Sequence, residues 1–127
     1  MNRVALVALG GAIGSVARYG VGALAARLLG AAFPWGTLLV NLTGSFLIAG
    51  VMHVALTGSA ISLELRIFLT TGILGGFTTY SSFNYETLAL LNQRAYGLAG
   101  LNLVGTVLGC LMAGLLGLAA GRALAGG

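Results

Sequence analysis

Residues 71–86 read Thr-Gly-Ile-Leu-Gly-Gly-Phe-Thr-Thr-Tyr-Ser-Ser-Phe-Asn-Tyr-Glu and lie within a segment that has the length of a membrane-spanning helix. Paired glycines followed by hydroxyl and aromatic residues make a poor lipid-facing helix. A bilayer tolerates non-helical backbone only where it is buried in protein or lines a watery cavity. The stretch therefore predicts a helix break at the working site of a multi-pass membrane protein.

The composition also favours a membrane protein. Of the 127 residues, 58% are hydrophobic and 6% are charged, whereas soluble domains carry about 25% charged residues. A single cysteine, Cys110, and a single proline, Pro34, exclude a disulfide scaffold and a proline-rich linker. One domain covering residues 1–127 is predicted.

The charged residues narrow the possible functions. They are six arginines and two glutamates, and they form no basic tract. Nucleic-acid binding needs cations clustered along a phosphate backbone, so it is not predicted. The sequence has no metal-ligand cluster, no nucleophile paired with a base and no phosphate-binding loop, so it does not predict an enzyme.

Four stretches are long and apolar enough to cross a bilayer, which takes roughly 20 residues. They cover about residues 4–28, 36–57, 65–91 and 96–121. Short connections join them. The predicted fold class is an all-α membrane protein with four transmembrane helices, of which the third is broken near Gly75–Thr79.

The arginines give a weak signal for orientation in the membrane. With four spans both termini share one side, which collects Arg3, Arg66 and Arg122 against Arg27 and Arg94 on the other. Positive residues normally decide topology. Two interpretations stay open: the chain inserts in both orientations and pairs antiparallel, or the terminal arginines fix a single topology.

Several glycine pairs have the spacing that allows close helix contact in lipid. Gly10–Gly14, Gly22–Ala26, Gly105–Gly109 and Gly117–Gly121 are examples. Packing within one subunit explains most of them, and a pore between subunits would use the same faces.

Arg18 lies near the middle of the first span, about 15 Å of helix from either end. A charge at that depth costs at least ~2.5–3.5 kcal/mol. It needs carbonyls, water or an anion as a partner, which indicates an electrostatic role. The alternative is a helix that ends near Gly20–Gly22, with Arg18 at the interface.

Two polar stripes run along predicted spans at intervals of four residues, which places their members on one helix face. Such stripes serve either as interhelical hydrogen bonds or as a pore lining, and two of them on different helices favour a shared wet path. The stripes are Thr37, Asn41 and Ser45 in the second span, and Asn102, Thr106 and Cys110 in the fourth.

The break in the third span predicts exposed backbone groups. A helix that restarts near Thr78–Thr79 offers unpaired N–H groups to an anion, and the segment before it offers carbonyls to a cation. Beyond the restart, Tyr80 and Phe83 share a face with Ser82 beside them, and aromatic ring edges are slightly positive. Ordinary bundle packing is the alternative explanation for the two rings.

Three motifs in order carry a resemblance to a known family. They are Gly10–Tyr19, Trp35–Gly44 and Thr71–Phe83. In these motifs the chain resembles the small fluoride channels of the Fluc family, also called CrcB or camphor-resistance proteins, and the resemblance extends over all four spans. It implies an antiparallel, dual-topology homodimer with two narrow pores, surrounded by lipid in a prokaryotic inner or plasma membrane.

The resemblance also implies roles for residues around the ion path. Asn41 would be the pore asparagine that hydrogen-bonds fluoride, and Tyr80 and Phe83 would occupy the two aromatic positions beside the ion. Tyr80 stands where the family usually has phenylalanine, so its hydroxyl is expected to give a hydrogen bond in place of the edge-on contact of the ring with the anion.

Further implied positions are hydroxyls and backbone carbonyls. Ser82, or its neighbours Thr79 and Ser81, would supply hydroxyls near the aromatic pair. Thr106 and Cys110 would fall on the polar track of the fourth span, where Cys110 replaces a usual hydroxyl residue. A central structural Na⁺ would be held by the backbone carbonyls of Gly75 and Thr78 from both subunits.

The residues and the resemblance leave three candidate functions. The leading one is a passive fluoride channel, in which donors such as Asn41 replace the water around a small, strongly hydrated anion. The second is a proton-coupled cation exporter of the small multidrug type, which needs a carboxylate deep in the first span. That span has Arg18 and no acid, which disfavours the exporter. The third is an assembly subunit that transports nothing.

Overall fold

The computed structural model describes residues 2–126, and the regular structure of this part of the chain is entirely helical. This confirms the all-α class. The helices are α1 (Arg3–Leu29), α2 (Trp35–Thr57), α3 (Leu63–Ile67), a π-helical segment (Phe68–Leu74), α4 (Gly75–Phe77), α5 (Tyr80–Asn92) and α6 (Tyr96–Leu124).

Three of these helices, α1, α2 and α6, are long and apolar enough to cross a membrane. They match three of the predicted spans to within three residues at each end. Helix α1 continues past Arg18 to Leu29, so the alternative in which it ends near Gly20–Gly22 is wrong. The chain is a multi-pass membrane protein.

The ends of α1 follow from its flanking residues. The Asn2 side chain accepts hydrogen bonds from the N–H groups of Val4 and Ala5 at 2.7 and 3.4 Å, which caps the helix start. At the other end Gly30 has φ of 87° and donates its N–H to the carbonyl of Ala26. Only glycine adopts such a φ without strain, so α1 stops there and a short connection leads to α2.

Residues 63–92 form two helical pieces rather than one. The π-helical segment continues directly from α3 and into α4, and the backbone then becomes extended at Thr78 and Thr79. Helix α5 begins at Tyr80, and the Thr79 hydroxyl accepts from the Ser82 N–H at 3.2 Å as its N-cap. The extended pair carries the backbone past α2 at the level of Asn41.

Helix α1 packs closely against the π-helical segment because glycines face each other. A Cβ atom on Gly10 would lie 2.8 Å from the Cα of Gly72, and one on Gly14 would overlap the carbonyl oxygen of Ile73. Backbones approach this closely only where side chains are absent. The Gly10–Gly14 pair therefore serves packing within one subunit.

Helices α2 and α6 make the most extensive contact in the bundle. A Cβ atom on Gly117 would overlap the carbonyl oxygen of Phe46, and one on Gly121 would lie 2.9 Å from that of Gly50. Gly105 has nothing within 4 Å. The Gly117–Gly121 pair thus packs inside the subunit, while Gly105 faces outward among exposed apolar side chains such as Leu101 and Leu108.

Candidate functional site

A pocket of about 360 Å³ opens where α2 and α6 face the extended pair and the start of α5. It brings together eight of the residues predicted for the site. Tyr80 lines it and is nevertheless 79% exposed, so one side of the pocket opens to the surface of the subunit. We call this space the main pocket; its lining residues are Asn41, Gly44, Ser45, Ile48, Leu74, Gly75, Thr78, Thr79, Tyr80, Phe83, Thr106, Val107 and Cys110.

Asn41 is buried and bonds to the backbone at the break. Its Oδ1 accepts from the Thr79 N–H at 2.8 Å, and its Nδ2 donates to the Thr79 carbonyl at 3.0 Å. These two hydrogen bonds satisfy the backbone N–H and the backbone carbonyl of Thr79, which lies outside any helix. An asparagine amide has two protons, so one remains for the main pocket.

The carbonyl oxygens of Gly75 and Thr78 lack the N–H donors that an uninterrupted α-helix would give them. In an uninterrupted α-helix the Gly75 carbonyl accepts from the N–H of Thr79, and the Thr78 carbonyl accepts from that of Ser82. Here the Thr79 N–H goes to Asn41 and the Ser82 N–H goes to the Thr79 hydroxyl. The oxygens of Gly75 and Thr78 are therefore released from their helical donors.

The two predicted aromatic residues lie together but differ in environment. The ring centroids of Tyr80 and Phe83 are 5.6 Å apart and the ring planes meet at 77°. The edge of one ring therefore points at the face of the other. Phe83 is 4% exposed and closes the inner wall of the main pocket, whereas Tyr80 stands at its open side. Edge-to-face geometry is the arrangement that aromatic quadrupoles favour.

The predicted hydroxyl residues divide into two groups. Thr79 lines the main pocket, and so does Thr106, which is buried on α6 one turn before the half-buried Cys110. Ser81 and Ser82 do not line it. Ser81 is exposed with its Oγ 3.5 Å from that of Thr79, and Ser82 takes part through its backbone N–H.

Arg18 donates from Nε to the Gly76 carbonyl oxygen at 3.1 Å. This bond ties the centre of α1 to α4, just before the extended pair. The side chain is half-buried and lines a neighbouring groove with Thr37 and Thr79. A charged donor on a carbonyl is among the stronger protein hydrogen bonds, so Arg18 anchors the backbone beside the break.

Thr37, the first residue of the polar stripe on α2, reaches a carboxyl group on α5. Its hydroxyl donates to Glu86 Oε2 at 3.0 Å, while Glu86 Oε1 is buried with no hydrogen-bond partner. Within residues 2–126 the ion pair present is Arg3–Glu64, at 3.8 Å on the surface. Glu86 therefore bonds to a hydroxyl rather than to an arginine, and it does not line the main pocket.

Residues 5–118 match the profile of a family described as CrcB-like protein, Camphor Resistance (CrcB). The chain belongs to this family. A protein of Anaeromyxobacter dehalogenans named fluoride-specific ion channel FluC is 58% identical over 89% of this chain and 90% of its own length.

Two other relatives with the same name cover the CrcB-like chain almost completely. The protein of Thermus thermophilus is 53% identical over 99% of this chain and 100% of its own length. That of Sorangium cellulosum is 44% identical over the whole of both chains. The family resemblance seen in the three sequence motifs is thereby confirmed.

Sequence reasoning missed the partners of two polar residues in the CrcB-like chain. It placed Asn41 and Asn102 on stripes but assigned neither of them a hydrogen-bond partner within the protein. Asn41 holds the backbone of Thr79, and Asn102, which is 1% exposed, donates to Thr87 on α5 at 2.9 Å. Periodicity within one helix identifies the face, whereas the partner on another helix is set by the fold.

Proposed function

We propose that this chain is a fluoride-selective passive channel that lets F⁻ leave the cytoplasm down its electrochemical gradient. The observation that carries the proposal is the main pocket, which combines the free proton of Asn41 and the hydroxyl of Thr106 with the ring of Phe83. Among residues 2–126, no carboxylate lines it. The shared name of relatives up to 58% identical over most of the chain supports the same conclusion. A channel function also agrees with the expectation that the chain is not an enzyme.

Selectivity follows from the chemistry of this lining. Fluoride is small and strongly hydrated, so a path must replace its water with donors. Asn41 supplies an N–H donor, and the Thr106 hydroxyl supplies an O–H donor once its proton turns from Asn102 Oδ1, 3.4 Å away, to the ion. The positive edge of the Phe83 ring adds a weaker contact. Conduction also requires that no single site binds the ion too tightly, which a few neutral donors satisfy better than a fixed cation.

We propose that two copies pair antiparallel, so that a dimer contains two pockets and two pores. Tyr80 and Gly75 line the main pocket yet are exposed in one subunit, and a second copy would enclose this open side. The arginine balance of three against two favours insertion in both orientations. In this arrangement residues 63–92 form the third of four spans, broken at Thr78–Thr79.

We further propose a structural Na⁺ at the centre of the dimer. The carbonyl oxygens of Gly75 and Thr78 have lost their helical donors to Asn41 and Thr79, and hard cations prefer such oxygen ligands. Two carbonyls from each copy would surround the ion. Its charge would compensate the carbonyl dipoles that meet at the interface.

The physiological setting is the inner or plasma membrane of a prokaryote. At acidic external pH the neutral acid HF crosses the membrane and releases F⁻ inside, where the anion is trapped. A passive anion path dissipates this accumulation without an energy source. The proton-coupled cation exporter is disfavoured, because α1 contains no carboxylate to exchange protons for a cation.

Efflux from liposomes tests the proposed function. Liposomes that contain the purified chain and are loaded with KF or KCl should release fluoride rapidly and chloride at the rate of empty liposomes once valinomycin compensates the charge. Equal release of both anions would contradict the selectivity. Release of neither would assign the chain to the non-transporting assembly class.

A further inference from the structure

A chain of hydrogen bonds joins two walls of the main pocket from behind. Thr87 Oγ1 donates to the Phe83 carbonyl at 2.8 Å, and Asn102 Nδ2 donates to Thr87 Oγ1 at 2.9 Å. Thr106 Oγ1 donates to Asn102 Oδ1 at 3.4 Å. Phe83 and Thr106, at the two ends, line the pocket, whereas Thr87 and Asn102 lie outside it.

The direction of every bond in this chain follows from its first acceptor. A carbonyl oxygen only accepts, so Thr87 gives its single proton to Phe83 and its oxygen accepts from Asn102. The amide nitrogen of Asn102 therefore faces Thr87, and the amide oxygen faces Thr106. In this arrangement the single proton of the Thr106 hydroxyl points at Asn102, and its lone pairs remain for the pocket.

Thr106 differs from the threonines that bond to backbone within their own helical segments. Thr57, Thr70, Thr78 and Thr87 each donate to the backbone carbonyl four residues earlier, at 2.7 to 2.9 Å. Thr106 donates to the side chain four residues earlier, at the longer distance of 3.4 Å. Hydrogen bonds weaken with distance, so its proton is held less firmly than theirs.

We propose that Asn102 is a positioning residue that keeps the Thr106 hydroxyl off the helix backbone and releases its proton to an anion in the main pocket. The proposal rests on the proposed function, since it explains how one donor of that site becomes available. Asn102 is 1% exposed and does not line the pocket, so it acts through Thr106 rather than by touching the ion.

Replacing Asn102 by an apolar residue should make the Thr106 hydroxyl less available to an anion. In Asn102→Leu the Thr106 hydroxyl has no side-chain acceptor and turns to the backbone carbonyl of residue 102, as the other threonines do. An anion must then break a shorter bond. We expect the half-saturating fluoride concentration for efflux to rise about tenfold, the size of one hydrogen bond to a charged group, with a smaller change in maximum rate.

The test measures the half-saturating concentration in wild type, Asn102→Leu, Thr106→Val and the double variant. If Asn102 works through Thr106, the double variant equals Thr106→Val. Multiplied effects would overturn the proposal. Fluoride efflux in the wild type is measured first, because its absence would overturn the proposed function itself, whereas multiplied effects in a conducting protein overturn only the role of Asn102.

Thr87→Val separates positioning from a general link between α5 and α6. This variant removes the partner of Asn102 Nδ2 but keeps Asn102 Oδ1 as the acceptor of the Thr106 proton. The half-saturating concentration should therefore stay unchanged, and a rise like that of Asn102→Leu would overturn the proposal. Asn102→Ala is prepared in parallel; if neither Asn102 variant folds, Asn102 is a structural strut and the proposal is wrong.

Discussion

The side-chain oxygen of Asn41 accepts from the Thr79 N–H at 2.8 Å, and its amide nitrogen donates one proton to the Thr79 carbonyl at 3.0 Å. Its second proton is the one available to an ion in the main pocket. One side chain thus fixes the extended pair and supplies a donor. Because Asn41 is 8% exposed, each lost bond leaves a buried polar group unsatisfied.

Asn41→Asp should abolish fluoride efflux, with a loss of at least about 100-fold, or ~2.7 kcal/mol. The carboxylate still accepts from the Thr79 N–H, but it has no proton for the ion and places a negative charge in the path of an anion. The carboxylate also faces the Thr79 carbonyl, which in the wild type accepts a hydrogen bond from Asn41. Liposome efflux measures the loss.

Asn92→Asp is the matched control, because it makes the same change at an exposed position at the end of α5. Its efflux should equal that of wild type, and both variants should elute at the wild-type volume in size-exclusion chromatography. Undiminished efflux in Asn41→Asp would mean that Asn41 serves only to hold Thr79.

At the scale of elements, the break depends on caps as much as on glycines. Thr79 caps α5 through the Ser82 N–H at 3.2 Å, and Ser62 caps α3 through the Leu65 N–H at 3.1 Å. The two caps are chemically alike. Only the first diverts a donor from a carbonyl proposed to bind Na⁺.

Thr79→Ala and Ser62→Ala should each lower the free energy of unfolding by about 1 kcal/mol, the usual cost of a lost N-cap. Only Thr79→Ala should also reduce fluoride efflux, by about tenfold or more, since the Ser82 N–H can return to the Thr78 carbonyl. Unfolding in detergent and liposome efflux give the two readouts. Equal effects of both changes on efflux would contradict a special role for the Thr79 cap.

The contact between α2 and α6 predicts opposite effects for two glycines of α6. Gly117→Ala places a Cβ on the Phe46 carbonyl oxygen and should destabilise the protein by about 1–3 kcal/mol. Gly100→Ala has nothing within 4 Å and should be neutral or stabilising by up to ~1 kcal/mol. Thermal unfolding in detergent compares them, and a stable Gly117→Ala would show that this helix pair is less tightly packed.

The sequence predicts some of these helices and their bounds but not others. The bounds of α1, α2 and α6 were predictable because apolar length alone marks a span. The backbone is extended at Thr78 and Thr79, within the stretch where the sequence predicts a break in the third span. The π-helical segment Phe68–Leu74 was not predicted, because it depends on the fit of glycines against α1. The start of α5 at Tyr80 depends on Asn41, which is distant in sequence, and hydropathy carries no signal for such a contact.

At the scale of the whole molecule, the outer faces of the bundle are apolar. Helices α1 and α6 expose large apolar residues along their length, such as Ile13, Val16, Leu103 and Leu115. In a membrane protein these faces meet lipid or a second subunit. In the proposed antiparallel dimer, the near balance of arginines would allow insertion in both orientations.

Three lysines added after Gly127 should bias insertion toward one orientation. Fluoride efflux should then fall, because an antiparallel pair needs both orientations, and co-expression of a copy biased the opposite way should restore it. A tail of three serines is the matched control and should leave efflux unchanged. Full efflux from the biased protein alone would contradict the antiparallel dimer and, with it, the shared Na⁺ site.

The interruption at Thr78–Thr79 has a consequence for biosynthesis. Of the described helices, only α1, α2 and α6 are long and apolar enough to cross a membrane. Residues 63–92 are synthesised after α1, and the Gly10–Gly14 face of α1 is the surface against which the π-helical segment packs. If residues 63–92 form the proposed broken span, the order of synthesis provides its packing partner before that span is made, and a chain that lacked α1 would have to insert the span without this partner.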